Sequence, residues 1–255
     1  MSVTVQQILG LLQTLAPSEL ACSWDNVGLL VDVSVPVSHV LTTLDITAAV
    51  VQEAVENDCQ LIVSHHPVIF NPLRTVQPQN IIYALVQSGI AVISAHTNLD
   101  MAYPYGVNDA LCRKLGLQNV RGILKEGETD IAYMGELPEE MTTEDFAAHI
   151  KEALGLSAVR CTAVSKMLRT VAVVGGAGGD YALAAQAKGA DAFVTGEVKH
   201  HEAIAAQQAG LALYEAGHYH TELPYRKRLK AYLDTACPGV EFIVSESERP
   251  PMETL

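Results

Sequence analysis

Apolar residues recur along this chain at two spacings, and stretches of the two spacings alternate. Val5, Ile8, Leu9, Leu12 and Ala16 share one face at helical spacing, with Thr4 placed to cap that helix and Pro17 to stop it. A short apolar run follows over 29–31. The pattern then predicts a strand over 39–44 and a helix capped by Thr47 that carries Val50, Val51, Ala54 and Val55. Next come a buried strand over 61–64, a helix over 81–87, a strand over 90–95 and a helix over 107–115.

The stretch 122–138 is less regular, with Gly127, Gly135 and four acidic residues, and is the expected crossing between two lobes. Beyond it Thr143 is placed to cap a helix bearing Phe146, Ile150 and Leu154. Strands are expected over 159–164, 171–174, 192–195, 211–215 and 240–245, and helices over 181–188, 201–208 and 222–235. Alternation of this kind predicts an α/β protein of two α/β lobes with mixed sheets. The expected division is 1–125, completed by about 218–255, for one lobe and 126–217 for the other. Gly89 and Gly210 each close a helix and precede an apolar strand that ends at a histidine, His96 and His218, a weak sign of a duplicated unit.

Composition narrows this picture by exclusion. The 255 residues are 49% hydrophobic and 18% charged, enough to bury a sizeable core. No apolar stretch approaches the roughly 18 residues that span a bilayer, and no basic start precedes an apolar segment, so a soluble cytoplasmic protein is expected. The five cysteines are scattered and form no Cys-x-x-Cys, which argues against a disulfide framework or zinc knuckle. A formal charge of −13 repels nucleic acid, and Arg226-Lys227-Arg228 reads as a solvated helix face. No nucleic-acid or membrane partner is expected.

Candidate chemistry lies where predicted strands finish. Ser64-His65-His66-Pro67 follows Leu61-Ile62-Val63, and two later segments add His96-Thr97-Asn98-Leu99-Asp100 and Gly217-His218-Tyr219-His220-Thr221-Glu222. Imidazole and carboxylate are the ligands that borderline divalent cations take. At a strand end His65 and His66 are expected to diverge, which favours two metal ions over one. Asp100 and Glu222 each come four residues after a histidine, and either could bridge two cations. Acids beside histidines can also be plain charges at a helix start, but three ligand-type clusters at three strand ends make coincidence a poor account.

His39 and His149 lie away from these clusters and read as structural or exposed. His200 and His201 follow the strand over 192–195 and read as lining the same cavity, adjacent helical residues pointing about 100° apart. The turn Gly175-Gly176-Ala177-Gly178-Gly179-Asp180 could aim backbone N–H groups at a phosphate. It lacks the register of Gly-x-Gly-x-x-Gly and has no Walker lysine, so a tight strand-to-helix turn is the expected reading and phosphate contact the lesser one.

Six segments in this order, Ser23-Trp24-Asp25-Asn26-Val27-Gly28-Leu29-Leu30, Leu44-Asp45-Ile46-Thr47, Ser64-His65-His66-Pro67, His96 to Asp100, Thr195-Gly196-Glu197 and Gly217-His218 to Glu222, resemble the GTP cyclohydrolase I type 2 homologues, also called NIF-three-like or YbgI-like proteins. The resemblance covers almost the whole chain. It implies metal ligation by His65, His66, Asp100, His218 and Glu222, the last shared between two ions, and moves His96 behind the ligands. It also implies two α/β lobes and a toroidal homohexamer. The segment 122–170 is too short for the inserted central domain of longer relatives, so this chain resembles the compact form.

The expected function is hydrolysis of a nucleotide-like or heterocyclic small molecule by metal-activated water, with His96 or His201 passing protons. The metal is left open among zinc, iron, manganese, nickel and cobalt. The alternative is a non-catalytic protein that binds or handles metal, or serves as an adaptor.

Overall fold

The computed structural model describes residues 2–253 of the chain. It divides into two compact units: one takes in the chain up to Ala102 together with Arg226–Arg249, the other Tyr103–Tyr225 and the segment from Pro250 onward. The division thus falls near 102 and 225, where sequence reading placed it near 125 and 218. Helix Val107–Lys114 accounts for the first difference, because Leu111 and Cys112 pack into the core of the second unit.

In the first unit a five-stranded sheet runs in the order Glu241–Val244, His39–Thr43, Leu61–Ser64, Ala91–Ser94, Gly28–Val31. The first four are parallel and the last is antiparallel to its neighbour. Leu41, Ile62 and Val92 meet Val50, Val51 and Ala54 of helix Ala48–Glu56, and Ile82 and Leu85 of helix Ile81–Gln87. Helix Val5–Leu15 begins as its sequence indicates: the Thr4 hydroxyl accepts from the Gln7 N–H, and the Gln7 side chain accepts from the Thr4 N–H.

The sheet of the second unit has six strands, ordered Gln118–Glu126, Thr129–Thr142, Met167–Val174, Ala192–Thr195, Ala212–Glu215, Arg160–Cys161. Its centre is parallel and its flanks are antiparallel. Both faces are covered, which is why its central strands read as unbroken apolar runs. Val171 and Val173 pack on the side of Phe146, Ile150 and Tyr214, whereas Ala172 and Val174 pack with Ala182, Ala185 and Phe193.

Two expectations are corrected here. The stretch 122–138 is part of a long antiparallel hairpin, Gln118–Glu126 with Thr129–Thr142, and not an irregular crossing. Repeated register shifts interrupt its alternation, and residues 131–135 are buried in succession, so no clean period of two appears in the sequence. Helix Thr143–Leu154 is capped by Thr142, whose hydroxyl accepts from the Asp145 N–H. Thr143 is already helical and donates to the Lys166 carbonyl. Among the described residues no helix is long and apolar enough to cross a membrane.

Candidate metal centre

Parallel strands in register finish side by side, and in each unit the ligand-type residues lie just past such ends. In the first unit Thr43 pairs with Ser64 and Ser64 with Ser94, so Asp45, His65-His66 and His96 emerge from three neighbouring strands. Gly28 of the antiparallel strand also pairs with Ser94, bringing Asp25 to the same edge. The Ser94 and Ser64 hydroxyls donate to the carbonyls of His65 and His66 and fix this backbone.

His65 is fully buried, and its ring centroid lies 5.0 Å from that of His66 and 5.2 Å from that of His96. One nitrogen from each of the three rings lies within 4.8 Å of the others, close enough for the group to hold a metal ion. The expected divergence of His65 and His66 is therefore absent. The strand ends at Ser64, and the alternation of side chains across a strand does not extend past it. His96, which the family resemblance set behind the ligands, stands within this group. Asp100, on the short helix Thr97–Asp100, brings Oδ1 to 3.5 Å from His65 Nε2.

In the second unit Val174 pairs with Thr195 and Thr195 with Glu215, so Gly175-Gly176, Gly196-Glu197 and Gly217-His218 follow three adjacent strand ends. His218 opens the short helix His218–Glu222, which puts the side chains four residues apart on one face: His218 Nε2 lies 3.1 Å from Oε1 of the buried Glu222.

Every ligand-type histidine is held by its other nitrogen. Nδ1 of His65 donates to the Ala95 carbonyl at 2.8 Å, Nδ1 of His66 to Asp45 at 2.8 Å, Nδ1 of His96 to Asp25 at 2.8 Å and Nδ1 of His218 to Glu197 at 2.7 Å. Carbonyl and carboxylate oxygens only accept, so each Nδ1 carries a proton and Nε2 is the nitrogen left to meet a metal. Metal-ligating imidazoles are prepared in this way. With carboxylates beside His65 and His218, the donor set fits borderline divalent cations. Burial pushes the Asp25 carboxyl up, but the His96 ring and the Thr97 hydroxyl and N–H outweigh it and hold the group down at about 2. At neutral pH Asp25 is thus held as an anion behind His96.

Asp25, Asp45 and Glu197 were not singled out from the sequence. Each stands inside one of the quoted motifs, and a carboxylate confined to a motif beside a strand end was the signal available. The glycine-rich turn is held largely from within. Three of its N–H groups are engaged within the protein: Gly175 donates to Asn108 Oδ1, Gly176 to the Thr221 hydroxyl and Gly178 to the Thr195 hydroxyl. The backbone of Gly176 instead passes against Glu222 and His218, where a Cβ would lie 2.3 Å from Glu222 Oε1. That crowding accounts for the glycine at 176. His200 and His201 are exposed at the start of helix His200–Gln208 and belong to no metal-capable group among the described residues. His149 bonds the Leu115 carbonyl, and His39 lies beside Glu241.

A family model described as Duf34/NIF3 (NGG1p interacting factor 3) matches residues 3–251. The chain belongs to the DUF34/NIF3 family. It is 30% identical to a GTP cyclohydrolase 1 type 2 homolog of Clostridium acetobutylicum and 32% identical to that of Clostridium perfringens, each alignment covering 98% of both chains. A namesake from Staphylococcus aureus strain COL is 29% identical over 340 aligned positions, more than the 255 residues here, so that relative carries residues with no counterpart in this chain. Among solved structures, a hypothetical protein of Staphylococcus aureus superposes with a TM-score of 0.91 at 32% identity, over 99% of each chain. A Bacillus cereus protein related to NIF3 does so with a TM-score of 0.90 at 25% identity, also over 99% of each chain. These likenesses bear out the mixed α/β fold and the family resemblance drawn from the motifs.

Proposed function

We propose that this DUF34/NIF3 protein is a metal-dependent hydrolase of a nucleotide-like or heterocyclic small molecule, with His65, His66, Asp100, His218 and Glu222 as ligands of two divalent cations and Glu222 shared. The observation that carries the reading is the set of four imidazoles whose Nδ1 protons are all committed, three to carboxylates and one to a carbonyl. A histidine kept only for packing has no need of that arrangement, which recurs past three strand ends. Bound divalent cations supply Lewis acidity and lower the pKa of water toward neutrality.

The chain's own residues supply the rest. Asp25 holds the Nδ1 proton of His96, so His96 accepts a proton at Nε2 and returns it to a leaving group, with the carboxylate steadying the charged ring. His201, the other proton carrier expected from sequence, is exposed, and His96 is the better placed of the two. The relatives' name points to GTP as the first substrate to try. Also proposed are the homohexamer that the family resemblance implies and the cytoplasmic location expected from the sequence, and light scattering on the purified protein tests the assembly.

The test is elemental analysis of protein purified without chelator, followed by a hydrolysis screen over GTP, other nucleotides and cyclic amides with each ion restored. His66→Ala and Glu222→Ala are expected to lose at least half of the bound metal and to reduce turnover at least a hundredfold. Full metal content with no turnover on any of these substrates would sink the hydrolase and leave the adaptor or metal-handling alternative.

A further inference from the structure

Trp24, the one tryptophan of the chain, is 59% exposed. A single exposed apolar residue is ordinary on a protein surface, but this one has company. Its ring centroid lies 5.9 Å from that of Phe70, itself 48% exposed, at a tilt of 50°, and 6.1 Å from that of His96, nearly edge-on at 73°. A tilted pair does not cover its own faces as a stacked pair would.

The backbone carrying these rings is tied down on both sides. The Asp25 N–H donates to the Cys22 carbonyl, the Cys22 N–H to the Thr97 hydroxyl, and Asp25 takes bonds from His96 and Thr97. Asn26 donates from Nδ2 to the Ile69 carbonyl at 2.6 Å, fixing the turn of Trp24 to the segment of Phe70. The four residues Ser23-Trp24-Asp25-Asn26 therefore orient His96 through one side chain, anchor the loop of Phe70 through another, and carry the indole close to both rings. None of the residues 22–26, 65–70 or 96–100 is Lys or Arg, so the side chains of these segments offer a ring surface and neither ammonium nor guanidinium to a phosphate.

We infer that Trp24 and Phe70 form an aromatic clamp that stacks a planar heteroaromatic ring beside His96. Stacking on exposed aromatics recognises any such ring by its π-face, and truncating one aromatic typically weakens binding about 5-fold or more. The inference rests on the proposed hydrolase for what the ring is presented to, and narrows its substrate class to molecules that carry such a ring.

With one tryptophan in the chain, fluorescence excited at the red edge, beyond the absorption of the nine tyrosines, reports from this place alone. The metal-loaded protein is titrated with guanosine, with uridine and with ribose 5-phosphate as a control that has no aromatic ring. Saturable quenching by a nucleoside and none by ribose 5-phosphate is expected. Phe70→Ala should raise the apparent dissociation constant about 5-fold or more. Equilibrium dialysis should show Trp24→Phe retaining nucleoside binding and Trp24→Ala losing it, with thermal melts confirming that each variant folds. No saturable quenching by either nucleoside, or equal quenching by ribose 5-phosphate, or an unchanged constant in Phe70→Ala, overturns the clamp. Binding is read without turnover, so the two ideas fail separately. Quenching without hydrolysis of any substrate keeps the clamp and removes the hydrolase, whereas wild-type hydrolysis rates in Trp24→Ala keep the hydrolase and remove the clamp.

Discussion

At the scale of the residue, the ligand-type histidines are defined as much by what holds them as by their own position. Asp25, Asp45 and Glu197 each fix one imidazole through Nδ1, and each lies in a short motif next to a strand end. Gly176 shows the same close tolerance from the backbone side. With φ at +63° and a Cβ that would meet Glu222 Oε1 at 2.3 Å and His218 Nε2 at 3.1 Å, it admits no side chain without displacing both. Gly176→Ala is expected to lose metal while the protein stays folded. Gly155→Ala is the control, because Gly155 has a similar φ of +71° and nothing within 4 Å of an added Cβ. Each substitution carries a backbone cost of about 1–2 kcal/mol. Elemental analysis and melts on both separate the effects, and retention of metal by Gly176→Ala would show that the glycine is there for its turn alone.

At the scale of the element, sequence patterns located most helices and strands and misjudged those whose signals compete. Thr142 and Thr143 are both cap-type residues, and spacing does not choose between them. The choice is made by the strand Thr129–Thr142, which delivers Thr142 in extended conformation with its hydroxyl toward the Asp145 N–H. Thr142→Ala is expected to cost about 1 kcal/mol in urea unfolding and Thr142→Ser much less. Equal losses from both would mean that the cap bond does not stabilise the helix. The hairpin 118–142 was hidden for a different reason. Its register shifts break the period that betrays a strand, and burial follows the packing of helix Val107–Lys114 and its neighbours instead of strict alternation. The divergence expected of His65 and His66 failed through a one-residue matter, the strand stopping at Ser64.

At the scale of the whole molecule, 29 acidic residues against 16 Lys and Arg make response to acid the natural probe. Burial raises the Glu53 carboxyl, but the Ser245 hydroxyl and the Glu246 and Ser247 N–H groups outweigh it and leave the pKa below its ordinary 4.5. Asp191 is likewise raised by burial, and N–H bonds from Thr170 and Arg169 with the Lys166 ammonium bring it below 3.8. A carboxyl depressed in the folded state stabilises above its unfolded pKa, and that contribution is lost as pH falls through the folded value. Glu53→Gln and Asp191→Asn should therefore melt below wild type at pH 7, with the gap closing below about pH 4. A gap of the same size at pH 7 and pH 3 would contradict the assignment. Because Glu53 belongs to the first unit and Asp191 to the second, acid is expected to weaken both in the same window.

The chain's own order of residues determined the α/β class, the positions of most elements and the candidate ligands, because periodicity, capping residues and ligand-type side chains are local properties. Motif order also sufficed to identify the family. Tertiary structure decided what depends on residues far apart in sequence. Register between parallel strands set Asp45 beside His66 across 21 positions, an antiparallel strand brought Asp25 to His96 across 71, and the segment Arg226–Arg249 completed a sheet begun near the N-terminus. No local pattern encodes such pairings, since they arise only when buried strands align their hydrogen bonds and thereby bring their ends together.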